Sequence, residues 1–383
     1  MLTIGSQRHL FDIPAGIAYF NTAYNSPLLN SSRTALVNAS HSKSHPWERP
    51  PADFFNDAER IRELSAVLFG GDADGYAVVP AASYGLSAAA RAIQPTLRVN
   101  DRIVVLDEEF PSNVLPWRRV ARETGAVVVT VPTPADGDWT TATLAVIAEG
   151  ARVAALSPCH WTNGARLDLV AIGRACREAG ATLVLDATQA LGAMPFDMAA
   201  VQPDFLVAAG YKWLLCPYGV GLMYVAAAWR DERPLEETWL ARVNAADFSA
   251  LVDYSDTYMP GARRFDVGEK CTAILPGAIA ALEQLRTWGV SNVARALGQI
   301  NDRIASRLEA LGFTLPPSSQ RCPHFVGARL PQGVTGNLVG SLRAQHVFIS
   351  QRGSSIRVAP HLHVTEPDVE QLFAALDLAV ASS

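Results

Sequence analysis

Residues 181–197, ATLVLDATQALGAMPFD, and residues 204–225, DFLVAAGYKWLLCPYGVGLMYV, hold the reading that decides the fold. The apolar run over residues 181–185 has the pattern of a parallel strand covered on both faces. It delivers Asp186 to the strand's carboxyl end, where open α/β sheets place their ligands. Residues 206–209 repeat the pattern and deliver Lys212. Beside Trp213 and Leu214 a lone ammonium is poorly solvated, so its proton affinity falls and its amine becomes available for covalent chemistry. Asp186 and Lys212 lie 26 positions apart (212 − 186).

Working outward, apolar strand-like runs alternate with helix-like segments from about residue 60 to 230. YAVVP (76–80) precedes SYGLSAAARAI, RIVVLD (102–107) precedes PWRRVARETG, and AVVVTVP and RVAALSP precede LVAIGRACREAG (169–180). Such alternation with short loops predicts an α/β fold, a mostly parallel sheet with helices on both faces. Past residue 255 a long helical pattern runs through residues 273–312, broken near Gly289, and HFVGARL and SIRVAP then read as strands of a smaller α+β region. The expected organisation is a large domain over 16–255 and a small C-terminal domain over 256–383.

Composition narrows the function. The 383 residues carry 32 Lys and Arg against 37 Asp and Glu, a net charge of −5, and 49% are hydrophobic. A chain of this length and apolar content can bury a sizeable core. Its charge gives no nucleic-acid footprint and no basic block for an anionic membrane. The opening MLTIGSQRHLFDIPAG has no apolar segment of signal-peptide length, and no run of about 18 apolar residues appears, so a cytoplasmic location is expected. Cys159, Cys176, Cys216, Cys271 and Cys322 are odd in number and form no CxxC pair, which predicts free thiols and no zinc site. His361 and His363 alternate along an extended segment without a third ligand signature, and no metal site is expected there.

An acid at one strand end and a lysine at another is the pairing a pyridoxal-phosphate enzyme needs. The lysine forms the Schiff base with the cofactor aldehyde, and the carboxylate keeps the pyridine nitrogen protonated so that the ring can withdraw electrons. Asp186, Thr188 and Gln189 in DATQALG, followed by GYKWLLCPYGVG, resemble the class V aminotransferase family of fold type I pyridoxal-phosphate enzymes, which includes cysteine desulfurases, kynureninases and isopenicillin N epimerase-like proteins. The resemblance covers nearly the whole chain. It implies a large domain with a seven-stranded sheet, packing of the first ~15 residues on the small domain, and a homodimer.

The resemblance also distributes roles. Lys212 is the Schiff-base residue and Asp186 the partner of the ring nitrogen, Gln189 matches the residue that hydrogen-bonds the ring's phenolic oxygen, and Tyr211 offers a hydroxyl to the phosphate. Ala82 and Ser83 in AASYGLS occupy the phosphate-loop positions, where a strand turning into a helix leaves free N–H groups and a favourable dipole. Phe110 in LDEEFPSNVLPW is similar to the residue that covers the cofactor ring, and Asn113 is placed to reach the phosphate. His160 in CHWTNGARLDL either faces the cofactor or is a buried histidine satisfied by a backbone carbonyl; Trp161 reads as packing. Glu269 stands where many relatives carry a hydroxyl that reaches the phosphate across the dimer, and a carboxylate there repels the dianion. Arg357 matches the arginine that clamps the substrate α-carboxylate, with the N-terminal loop around Asn25 as the other candidate.

The expected activity is that of a class V aminotransferase-like enzyme on a small amino acid. The alternatives are a β-eliminating C–S lyase, an epimerase, a kynureninase-type hydrolase or a non-catalytic cofactor-binding regulator. Persulfide-forming desulfurases need a mobile cysteine shortly before the small-domain arginine, and HVFISQRGSS has none.

Overall fold

The computed structural model describes residues 4–48, 50–332 and 337–381. Of the segments assigned to the small domain, residues 1–3, 333–336 and 382–383 lie outside the described residues. In chain order the strands are β1 (Ala18–Tyr19), β2 (Tyr76–Val79), β3 (Arg102–Leu106), β4 (Val127–Val131), β5 (Ala151–Leu156), β6 (Thr182–Asp186), β7 (Phe205–Ala209), β8 (Gly221–Val225), β9 (Val326–Arg329), β10 (Val347–Phe348), β11 (Ser350–Arg352) and β12 (Ser355–Val358).

Seven of them form one sheet in the order β2-β8-β7-β6-β5-β3-β4. β8 runs antiparallel to both its neighbours, and every other pairing is parallel. The mostly parallel seven-stranded α/β sheet expected from sequence is therefore present. β6 and β7 are buried at every position while β4, at the edge, is half exposed, which is why the first two read as unbroken apolar runs. Helices cross between strands. Ala82–Ile93 packs directly on β7, because a Cβ on Gly85 would lie 2.7 Å from Val207 Cγ1. Leu169–Ala179 starts where the Asp168 carboxylate accepts from the N–H groups of Val170 and Ala171.

The long helical pattern divides into Leu275–Trp288 and Val290–Ala310 at Gly289, whose φ of +75° ends the first helix and turns the chain into the second. Beyond it, β11, β12 and β9 form a small antiparallel sheet, and β1 pairs in parallel with β10. The cores interleave in sequence. Leu275, Ala278, Leu282 and Leu285 pack with the large sheet, whereas Ala18 and Phe20 join Val326, Ile356 and Leu372 around the small one. Val290–Ala310 spans both, giving Val293 and Leu297 to the first core and Ile304 and Leu308 to the second. Among the described residues, no helix is long and apolar enough to cross a membrane.

Candidate active site

Because β2, β3, β5, β6 and β7 all run the same way, their carboxyl ends lie on one edge of the sheet. The residues that follow them gather there: Ala82 after β2, Glu109 and Phe110 after β3, Ser157 after β5, Asp186 at the end of β6 and Lys212 after β7. Phe110, Ser157, Trp161, Asp186, Thr188, Gln189 and Lys212 line one narrow cavity.

Lys212 is only 7% exposed. Burial, reinforced by the positive charge of Arg357 and opposed by Asp186, draws its pKa down to about 8. Its Nζ lies 5.5 Å from the centroid of Phe110, over the ring, and Phe110 in turn meets Trp161 edge to face at 5.3 Å. Asp186 is buried. Its Oδ1 accepts from the Thr188 N–H at 3.0 Å, and the Thr188 hydroxyl accepts from the Ala209 N–H at 3.1 Å, tying the acid to the strand that precedes the lysine. Burial raises the Asp186 pKa, and Thr188 and Lys212 only partly offset it.

Gln189 joins the same wall, with its amide carbonyl accepting from Trp213 Nε1 at 2.9 Å and its Nε2 donating to the Ala23 carbonyl at 3.0 Å. The second Nε2 hydrogen is the one left for a ligand. Tyr211 stacks on Tyr218 at 3.9 Å and 11°, and burial, then Tyr218, pushes its pKa to about 12, so its hydroxyl stays protonated and able to donate. Its backbone carbonyl receives both the N–H and the hydroxyl of Ser26, which fastens the N-terminal loop carrying Asn25 over the lysine turn. Tyr19 donates to the Asn25 carbonyl at 2.6 Å.

At the anion end, Ala82–Ile93 begins with no side-chain cap, so its first-turn N–H groups are unclaimed by side chains; Ala82 is buried and Ser83 exposed. Asn113 is fully buried beside Glu109, whose carboxyl group its side-chain amide helps to hold. These features suit a phosphate with an aromatic ring system on Phe110 and Asp186. Glu269 is exposed and lines a separate surface cleft of about 660 Å³ with Lys43, His45 and Lys270.

Arg357 is 1% exposed on β12. Its Nη1 donates to the Trp161 carbonyl at 2.8 Å, its Nε has no partner, and no carboxylate among the described residues pairs with it. Burial and then Arg352 lower its proton affinity, so an arriving carboxylate relieves an uncompensated charge.

His160 does not line the cavity: Nε2 meets the Asp107 carbonyl at 2.9 Å, Nδ1 meets Thr162 Oγ1 at 2.8 Å, and the ring stacks on Trp139 at 4.9 Å. Both nitrogens are satisfied by protein. Three residues, Trp161, Glu109 and Ser157, escaped sequence reasoning. Trp161, read as packing, walls the cavity and holds Arg357. Glu109 is buried with Ser157 Oγ 2.9 Å from both its oxygens and the Phe110 N–H at 2.7 Å. Burial, then the charge of Asp186, pushes its pKa up to about 7. The only signal for Glu109 was an acid beside an aromatic at a strand's carboxyl end.

With that geometry in place, comparison with known proteins is informative. The sequence model of the family "Aminotransferase class-V" matches residues 34–368. The chain belongs to this family and is a pyridoxal-phosphate enzyme. It is 29% identical to a cysteine desulfurase of Escherichia fergusonii over 69% of this chain and 61% of that protein. With a cysteine desulfurase of Escherichia coli O8 it shares 28% over 82% of this chain and 72% of the relative. The first of these matches thus spans less than two thirds of the relative's length. The fold is similar to that of an apo cysteine desulfurase from Thermococcus onnurineus (TM-score 0.87, 18% identity, all of both chains). It is also similar to that of the cystine C-S lyase C-DES in complex with cysteine persulfide (TM-score 0.84, 19% identity, 94% of this chain and 97% of that one).

Proposed function

We propose that this enzyme is a C–S lyase acting by β-elimination on a small α-amino acid that carries sulfur at Cβ. The observation that carries the amino-acid part is the pair Lys212 and Arg357: a buried amine of lowered proton affinity beside a buried guanidinium with no carboxylate of its own. Arg357 takes the substrate α-carboxylate, and its planar fork fixes the direction of Cα. Lys212 accepts the Cα proton and returns a proton to the departing sulfur as the Cβ–S bond breaks and its electron pair leaves with sulfur. Asp186 keeps a proton on the ring nitrogen, and Phe110 holds the ring flat. Pyridoxal phosphate, when bound, supplies the electron sink.

The relatives named as desulfurases and as a C–S lyase support elimination over the transamination expected from the family name. Direct elimination is favoured over a persulfide-forming route because residues 344–356 contain no cysteine, and Cys159, Cys176, Cys216 and Cys322 are all buried. We read the active unit as a homodimer, which sedimentation at assay concentration checks, an active monomer being the contrary result.

The deciding experiment mixes the yellow holoenzyme with cysteine, cystine and other small amino acids, following absorbance and products. Pyruvate with ammonia and a sulfur product supports elimination. A keto acid retaining the full side chain, with the amino group left on the cofactor, establishes transamination; inversion without net products establishes epimerisation.

A further inference from the structure

Behind the cavity wall, three residues far apart in sequence converge. The Sγ atoms of Cys159 and Cys322 and a ring nitrogen of His324 all lie within 4.8 Å of one another. All three residues are buried, at 0%, 3% and 0% exposure, and both cysteines are free thiols. His324 Nε2 meets the Gln189 carbonyl and its Nδ1 has no partner; the same carbonyl lies 3.3 Å from Cys159 Sγ.

We propose that Cys159, Cys322 and His324 form a structural zinc site. Two sulfurs on tetrahedral zinc stand about 3.8 Å apart, from Zn–S bonds of about 2.3 Å, a separation that falls within the 4.8 Å span of the three ligand atoms. Charge selects the ion. Trp213 packs edge-on against His324 at 4.5 Å and Phe325 lies at 5.1 Å, an apolar surround that penalises net charge. A divalent ion with two thiolates is neutral, whereas monovalent copper leaves one negative charge. Binding is balanced by release of the two thiol protons.

The site is structural because none of the three residues lines the cavity of Lys212. Cys159 follows β5, Gln189 follows β6, and Cys322 and His324 lead into β9 of the small sheet. Zinc would therefore staple that lead-in to the back of Gln189, whose side chain holds Ala23 and Trp213.

The test uses the reduced full-length holoprotein, with Cys271→Ser as background because Cys271 is the exposed thiol. Cobalt titration should give tetrahedral visible bands and a sulfur-to-cobalt charge-transfer band saturating at one ion per chain, displaced by zinc. Cys322→Ser should weaken binding by about 100-fold or more while the cofactor absorbance persists. No charge-transfer band in the wild type at millimolar cobalt overturns the site, as does a band left unchanged in both Cys322→Ser and Cys159→Ser. The wild-type titration decides even if a variant fails to fold.

Discussion

Two buried clusters in this protein each set an arginine and a lysine about an aspartate, with opposite electrostatics, the arginine of the first, Arg62, also pairing with Glu59 at 3.1 Å. In the first, Asp266 accepts from Arg62 at 2.5 Å, from Lys270 at 2.9 Å and from the Val78 N–H at 2.8 Å, and Arg62 also donates to the Tyr76 carbonyl. In the second, Asp186, Lys212 and Arg357 make no ion pair with one another or with any other described residue. Burial opposes charge in both, yet the Asp266 pKa is lowered because two cations outweigh burial, while that of Asp186 is raised because nothing does. A complete cluster is structure. An incomplete one is a site waiting for a ligand's charges to finish it.

The largest expected effect breaks the comparison at its lysines. Lys212→Ala should fold and lose turnover by about 10⁴-fold or more, and borohydride treatment of the wild-type holoenzyme should label Lys212. Label on Lys270 would reverse the assignment of the two clusters. Next come the arginines. Arg62→Met should cost about 3 to 5 kcal/mol in denaturant unfolding, because it strands Asp266 without its main partner. Arg357→Met should leave the cofactor-free protein as stable as the wild type or more so, and a loss as large as that of Arg62→Met would make Arg357 structural.

Catalysis sharpens the same contrast. Arg357→Ala should raise KM by roughly 10- to 150-fold, for a lost charged hydrogen bond of about 1.5 to 3 kcal/mol, with cofactor binding retained. Arg357→Lys should rescue only part, because an ammonium lacks the two-pronged geometry. Steady-state titration with the best amino acid and with its amine lacking the carboxylate measures this, and an unchanged preference for the acid would remove Arg357 from the substrate site and turn attention to the loop around Asn25.

The smallest effect is in pH dependence. Asp266, with its lowered pKa, contributes stability that is fully present above the unfolded-state value of about 4 and is lost as pH falls from there through the lowered folded-state value. Glu109, with its pKa raised to about 7, has the opposite sign: its contribution is complete below about pH 4 and is lost as pH rises to 7. Glu109→Gln should therefore flatten the decline of cofactor-free stability between about pH 4 and 7, on the order of 3 kcal/mol or less. Thermal melts across that range check it; an unaltered slope would show that Glu109 does not carry the proton.

Much of this was legible in the sequence. Apolar runs ending in Asp186 and before Lys212 required a buried parallel sheet, since strands covered on both faces admit few polar residues, and Gly289 marked the break between two helices. Strand ends also fixed which side of the sheet the chemistry occupies. His160, by contrast, could be read two ways, because a buried histidine's role depends on what its nitrogens meet, and that is set by the Asp107 carbonyl 53 positions away.

The sequence by itself determined the sheet, the strand-end acid and lysine, and the family, because these rest on local periodicity and on motifs only a few residues long. Tertiary structure alone decided which charges are left without partners and which distant side chains meet. Arg62 and Arg357 look alike along the chain, and only folding brings Asp266 to the first and no carboxylate to the second. Cys159 and Cys322 show no metal spacing in sequence; they converge because the strand order places the ends of β5 and β6 beside the segment entering β9, and contact across such separations leaves no local pattern.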